Sequence, residues 1–263
     1  MNEIRITTEL SGGHDAVGFG LPTTGAGLVS RAAEHAGFAA RNEWPNELAT
    51  AIATTQSAAT LRTKRVMDVI IALGLLLVAW PVMVLIALAV LLEDGGPALI
   101  AHERIGRFGR PFRCLKLRTM VVDADKILAR MLAEDPQARM EWAARRKLRR
   151  DPRVTVVGSI LRSSSLDELP QLVNVLRGEM SLVGPRPVVR SELEQHYGEV
   201  GAAHYLSVRP GLTGPWQVSG RSDTSYDRRV LLDTDYVLHL SVLRDFVLLL
   251  KTVLAVLVRR GAY

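Results

Sequence analysis

One cysteine, Cys114, in a chain of 263 residues leaves no partner for an intrachain disulfide and fits a reducing compartment. Histidine is little better represented. The six are scattered, no Cys/His set has zinc-ligand spacing, and none stands near a serine in a nucleophile elbow. A Walker phosphate loop and a dinucleotide glycine fingerprint are both missing. No secretory signal is legible, because Glu3 and Glu9 interrupt a start without an apolar core. Internal repeats and long single-residue tracts are absent too. Disulfide scaffolds, zinc enzymes, serine hydrolases and the common nucleotide folds are thereby set aside.

What is present is basic and unevenly spread. The net charge is +6, yet residues 1–60 hold three basic residues against six acidic ones. The remainder carries 30 basic and 21 acidic residues, a balance that suits nucleic acid, anionic lipid or phosphorylated substrates. The first sixty residues are rich in Ala, Gly and Thr and contain little that could form a core. They read as a disordered extension (1–60), with a weak helix near residues 47–59.

Residues 69–92 form a run of 24 without a charge, "VIIALGLLLVAWPVMVLIALAVLL". As a helix this is roughly 36 Å long, enough for the ~30 Å hydrocarbon core of a bilayer. Two features argue against a crossing. Pro81 sits mid-run, where it removes a backbone hydrogen bond and favours a kink. Both flanks are also basic: Arg62, Lys64 and Arg65 before, Arg104, Arg107, Arg110, Arg113, Lys116 and Arg118 after. Each flank favours the cytoplasmic side, so a re-entrant hairpin broken at Pro81 (61–94) is expected. Asp68 at its boundary should pair with Lys64 or Arg65. The C-terminal stretch 242–260 is apolar but broken by Arg244, Asp245 and Lys251. It reads as an interfacial amphipathic helix, with a core helix of the soluble part as the alternative.

The segment between (within 95–263) reads as an α+β body, mainly helical. Short strands are expected at 99–104 and 111–117 around the "GRFG" turn, and helix over 121–148 with a boundary near Pro136. The basic run "ARRKLRRDPR" has no interleaved aromatics, which favours lipid headgroups over nucleic acid. "SSSLDELPQL" sets Asp167 beside Glu168. Ser165-x-x-Glu168 matches a capping box, though Pro170 would then fall inside the helix. A helix starting at Asp167 tolerates that proline and would end at Gly178, with both carboxylates at its positive end. Ordinary capping and a phosphate site both remain open on these residues alone. "GPRP" fixes Arg186 between two prolines, as suits contact with a phosphate, and "RPGLTGPWQVSGR" is an ordered-loop composition carrying Trp216.

These pieces resemble the bacterial sugar transferases, small monotopic phosphoglycosyl transferases. The similarity runs over residues 63–263, through "KRVMD", "GRPFRCLKLRTM", "LRSSSLDELPQLVNVLRGEMSLVGPRPVV", "RPGLTGPWQVSGR" and "LLDTDYV". The ending is most similar to the branch that primes exopolysaccharides with galactose phosphate or glucose phosphate. The resemblance implies transfer of a sugar 1-phosphate from a UDP-sugar to undecaprenyl phosphate, releasing UMP, through a phosphosugar held on Asp167. It implies Glu168 as dyad partner, Mg2+ held by Asp167 and Glu168, and substrate contacts from Lys116, Arg162, Arg186, Arg221 and Asp233. Placement at the cytoplasmic face of a bacterial inner membrane, contact with its inner-leaflet lipids, downstream glycosyltransferases as partners and a capacity to dimerise follow from the same likeness. Nucleic acid does not. An acetamido sugar as substrate and a non-catalytic membrane scaffold are the alternatives. His102, where the family commonly has glutamine, and Leu117, where phenylalanine is frequent, are departures bearing on packing and sugar choice.

Overall fold

A computed structural model of the chain describes residues 44–145, 148, 151–219 and 225–257. The disorder expected of the leader falls largely on residues 1–43, outside the described residues. The short helix expected after them is α1 (Asn46–Thr55), which buries Ala49 and Ala53. Next comes α2 (Ala58–Asp94), 37 residues long. It leads into an antiparallel hairpin of β1 (Leu99–Ile105) and β2 (Pro111–Leu117), in register from Leu99↔Leu117 to Ile105↔Pro111. Helices α3 (Ala124–Glu134) and α4 (Pro136–Arg145) divide at Pro136 as expected.

The second half alternates short elements: α5 (Val156–Ser164), α6 (Gln171–Arg177), β3 (Ser181–Val183), α7 (Arg190–His196), α8 (Gly198–Ser207) and β4 (Gly211–Thr213). It closes with α9 (Pro215–Val218), α10 (Tyr226–Leu238) and α11 (Val242–Leu257). The architecture is α+β and mainly helical. Strands β3 and β4 pair in parallel, and their backbones meet so closely that a Cβ on Gly211 would lie 2.1 Å from the Gly184 nitrogen. Only glycine fits there. Ala72 of α2, Cys114 of β2, Leu172 and Val175 of α6, Leu182 of β3 and Tyr236 of α10 belong to one buried core. Burying side chains such as Leu172 or Val175 contributes about 1.5–3 kcal/mol each.

Helix α2 departs from the expected helix-break-helix. Its backbone stays helical across Pro81, because a proline deletes one donor and crowds one carbonyl without ending the surrounding hydrogen-bond ladder. The middle of α2 is nearly bare: Val78 is 78% exposed, and its most apolar 18-residue window is only 6% buried. Both ends, however, are fastened to the body. At the start, Lys64 Nζ donates to the Val183 carbonyl at 2.9 Å and pairs with Asp245 Oδ2 at 2.5 Å. At the other end, Asp94 Oδ2 accepts from Arg118 Nη1 at 2.6 Å, and Glu93 accepts the Val157 N–H at 3.2 Å.

Asp68 does not take the partner expected from its neighbours. It accepts the Ser181 hydroxyl at 2.8 Å and the Leu182 N–H at 3.0 Å, while Lys64 reaches α11 and Arg65 caps carbonyls of α6. The reason is topological: strand β3 bonds β4 on one side only, so Leu182 presents its N–H to α2. Helix α11 combines features of both expectations. Asp245 and Leu248 are buried on one stripe, whereas Leu243, Phe246, Leu250 and Leu254 are exposed on the other. Two apolar faces, the middle of α2 and the outer stripe of α11, are therefore left without protein cover in the described residues.

Removing one member of a buried ion pair strands the other charge. Lys64→Ala should cost about 3–5 kcal/mol and lower the midpoint of thermal unfolding in detergent. The double replacement Lys64→Met with Asp245→Leu should recover most of that loss. An unchanged midpoint in Lys64→Ala would show that the pair does not anchor α2.

Candidate active site

The site begins with a side-chain amide. Asn174 of α6, fully buried, accepts the Leu115 N–H at 3.0 Å and donates to the Arg113 carbonyl at 2.9 Å. Its amide thus stands in for a neighbouring strand along the free edge of β2 and fixes α6 against it. Lys116, one residue further along β2, consequently projects over the turn that precedes α6.

That turn carries Asp167 and Glu168. Helix α5 ends where Ser165 adopts the left-handed conformation (φ 58°), and residues Leu166–Glu168 form a single 3-10 turn. The expected capping box does not form. The Ser165 side chain makes no capping bond, and its carbonyl instead accepts the Glu168 N–H at 3.3 Å. Nor does a helix begin at Asp167: α6 starts at Gln171 behind Pro170, and Gly178 ends it in the left-handed conformation, as expected. The charge that offsets the two carboxylates therefore comes from side chains and not from a helix end.

Lys116 Nζ lies 2.8 Å from Glu168 Oε1 and 3.4 Å from Asp167 Oδ2. Arg186 Nη2 lies 3.4 Å from the same Glu168 oxygen. Pro185 and Pro187 flank it, and the loop is pinned by the Gly211 N–H on the Pro185 carbonyl at 2.8 Å. The two acids are driven apart electrostatically. Burial would raise Glu168, but Arg186 and Lys116 outweigh it and hold the carboxyl down to about 2. Burial also raises Asp167, which is 8% exposed; Lys116 pulls it back and the Glu168 charge pushes it up again. One carboxylate is thus tied into cations, and its neighbour is left more basic than an ordinary aspartate.

A solvent-open cleft of about 140 Å³ lies beside Glu168. Lys116, Arg186, Arg104 and Arg229 line it, against Glu168 and Glu192. Trp216 of α9 lies under the cations, its ring centroid 5.8 Å from the Arg186 guanidinium and 4.8 Å from that of Arg229.

Of the residues singled out in the sequence, Lys116, Asp167, Glu168 and Arg186 come together here. Arg162 is nearby: its Nε donates to Thr119 Oγ1 at 2.9 Å, and burial lowers its pKa while the Asp167 charge partly restores it. Asp233 is 2% exposed and does not line the cleft; it accepts the Tyr197 hydroxyl at 2.9 Å. Arg221 lies outside the described residues. Pro81 sits in α2, away from the acids in sequence and bound to none of these groups. Leu117, the smaller residue at a position where phenylalanine is frequent, is 3% exposed and packs in a cluster with Val90 and Leu161.

Asn174, Arg104, Arg229 and Glu192 were not anticipated. Strand alternation also puts Lys116, already singled out, on one face with buried Cys114 and Phe112. Nothing local marks Arg229 within "DRRV", nor Asn174 within an apolar helix.

The description "bacterial sugar transferase" belongs to a family model that matches residues 59–259, from the start of α2 past the end of α11. The exopolysaccharide production protein ExoY of Rhizobium meliloti is 52% identical over 200 residues, which is 76% of this chain and 88% of that protein. The undecaprenyl-phosphate galactose phosphotransferase of Salmonella typhimurium is 48% identical over 76% of this chain and 41% of its own length. The UDP-glucose:undecaprenyl-phosphate glucose-1-phosphate transferase of Caulobacter vibrioides is 43% identical over 76% of this chain and 72% of that protein. With its two carboxylates, their cations and its exposed apolar helix all inside the matched region, the chain belongs to the bacterial sugar transferase family.

Proposed function

We propose that the protein transfers a sugar 1-phosphate, galactose or glucose, from a UDP-sugar to undecaprenyl phosphate, the priming step of exopolysaccharide synthesis. The observation that carries this reading is the pair of buried Asp167 and half-buried Glu168 under Lys116 and Arg186, with Glu168 lining a cationic cleft. The names of the three relatives point the same way.

The chemistry follows from the charges. A carboxylate oxygen of Asp167 attacks the sugar-bearing phosphorus, and the bond from that phosphorus to the bridging oxygen breaks. UMP leaves with the electron pair, and the phosphosugar stays on Asp167 as an acyl phosphate. An oxygen of undecaprenyl phosphate then attacks the same phosphorus and releases Asp167. Both nucleophiles are already anions, so no base is required. Glu168, held near 2, would be a poor one in any case. Lys116 and Arg186 offset the repulsion between an anionic nucleophile and an anionic substrate.

Two carboxylates, with no third acidic, histidine or cysteine ligand grouped with them among the described residues, suit magnesium, which keeps waters and substrate phosphates. Asp167 and Glu168 would hold it, each retaining an oxygen that Lys116 does not contact. When bound, the ion neutralises diphosphate charge and supports departure of the nucleotide phosphate.

The membrane reading is that α2 dips into the cytoplasmic leaflet and returns, with α11 lying in the interface. The bonds at both ends of α2 to one body support it, since a crossing would set ~30 Å of hydrocarbon between them. The nucleotide sugar is then met on the cytoplasmic side, where the lipid phosphate also lies.

Incubating the protein with magnesium and a UDP-sugar labelled in both sugar and β-phosphate, without lipid, should leave both labels covalently bound. Asp167→Asn should abolish labelling, Glu168→Gln should slow it by roughly 10²-fold, and EDTA should suppress it until magnesium is restored. Labelled Asp167→Asn would overturn the assignment. For topology, single cysteines at Thr55 and Glu134, both exposed, should react only from the cytoplasmic face, with native Cys114 silent because it is buried. Reaction from opposite faces would sink the re-entrant reading.

A further inference from the structure

Two cations of the cleft, Arg104 and Arg229, have no part in the mechanism above, and of the two only Arg229 is buried. Arg229, on the first turn of α10, is 5% exposed yet lines the cleft beside Arg186. Structural arginines elsewhere in this molecule close tight forks on a carboxylate. Arg153 places Nε 2.8 Å and Nη2 2.6 Å from the two oxygens of Asp151. Arg229 has no such fork. Glu192 Oε2 is 3.9 Å from its Nη1, and Asp233 Oδ2 is 4.0 Å from its Nε. Both distances exceed a hydrogen bond. Among the described residues its Nε and the Asp233 Oδ1 are buried without a hydrogen-bond partner. The guanidinium makes one hydrogen bond among the described residues, from Nη2 to the Arg186 carbonyl at 3.4 Å.

A buried guanidinium with donors to spare is costly unless an anion completes it. Trp216 and Tyr226 hold it in place, with ring centroids 4.8 Å and 5.6 Å from the guanidinium carbon. We infer that Arg229 is the second guanidinium of the diphosphate site and binds the phosphate that leaves with the nucleotide. This rests on the reaction proposed above. The order of contacts assigns the phosphates: Arg186 touches Glu168, and Arg229 touches the backbone of Arg186. The attacked phosphorus belongs against Asp167, between Lys116 and Arg186. In-line displacement puts the leaving phosphate on the far side of that phosphorus, towards Arg229.

Asp233 then has a role that its distance from the cleft otherwise leaves unexplained. One helical turn beyond Arg229 and held by Tyr197, it is a positioning residue. It draws the guanidinium into place without consuming its hydrogen-bond donors.

The test separates the two half-reactions. Arg229→Met should slow formation of the labelled adduct by roughly 10²-fold. Adduct accumulated on long incubation should then discharge to undecaprenyl phosphate at the wild-type rate, because that step does not use the leaving phosphate. In calorimetry with magnesium present, Arg229→Met should weaken UMP by at least about tenfold and leave uridine unchanged, and Arg229→Lys should recover part of the loss. Asp233→Asn should weaken UMP in the same direction, again with normal discharge. Equal losses in both half-reactions, or unchanged UMP affinity in Arg229→Met, would overturn the inference. If wild-type protein forms no adduct with any sugar, the reaction scheme fails on its own. The difference between UMP and uridine binding in wild type and Arg229→Met still decides whether Arg229 binds the phosphate.

Discussion

The rest of the molecule hangs on the polar contacts that fasten the start of α2 to β3. Lys64 and Asp68 stand one helical turn apart, at the boundary of an apolar run. Lys64 bridges to Asp245 and the Val183 carbonyl, and Asp68 bonds Ser181 and Leu182. Strand β3 leads directly into Gly184, Pro185 and Arg186, so the residues that grip the apolar helix are next in sequence to the arginine that contacts Glu168. Tyr236 joins the same network, donating to Asp245 Oδ1 at 2.7 Å and linking it to α10, which carries Arg229 and Asp233. Buried charges of this kind add little net stability against an apolar core, but they tolerate one geometry only. Here that geometry sets where the site stands relative to the membrane-facing helix.

Around the dyad the same low-dielectric logic is used for chemistry. Two neighbouring carboxylates in one environment would titrate alike. Burying Asp167 while directing Arg186 and the closer approach of Lys116 to half-buried Glu168 separates them. Glu168 is an anion tied to the cations, and Asp167 keeps the more basic oxygen. The cleft above repeats the pattern, pairing a fully committed group with one held in reserve. Arg186 contacts Glu168, whereas Arg229 sits behind it with donors unspent.

Local patterns carried much of this. The hairpin was legible because alternation and a glycine turn are short-range signals, and Gly178 marked the end of α6 for the same reason. Asp167, Glu168 and Arg186 could be picked out because adjacent acids and a proline-bracketed arginine are unusual in composition. Neither start offered for the next helix holds: Ser165-x-x-Glu168 has the spacing of a capping box, but the left-handed turn at Ser165 and the proline at 170 start the helix three residues after Glu168. Asp68 was given the wrong partner because its neighbours in sequence were nearer than its neighbours in space.

By itself the sequence determined the class of the molecule. A 24-residue uncharged run, basic on both sides, must leave water, and an acid pair followed by a proline-bracketed arginine is a composition that suits a phosphorylated ligand. Only the tertiary structure decided the assignments within that class. Lys116, Asn174, Arg186 and Arg229 lie on β2, on α6, in the loop after β3 and on α10. Distances of 3–4 Å between such residues are set by packing of elements far apart along the chain. Charge compensation depends on those distances and on burial, so which acid is held as an anion and which is more basic are properties of the folded chain.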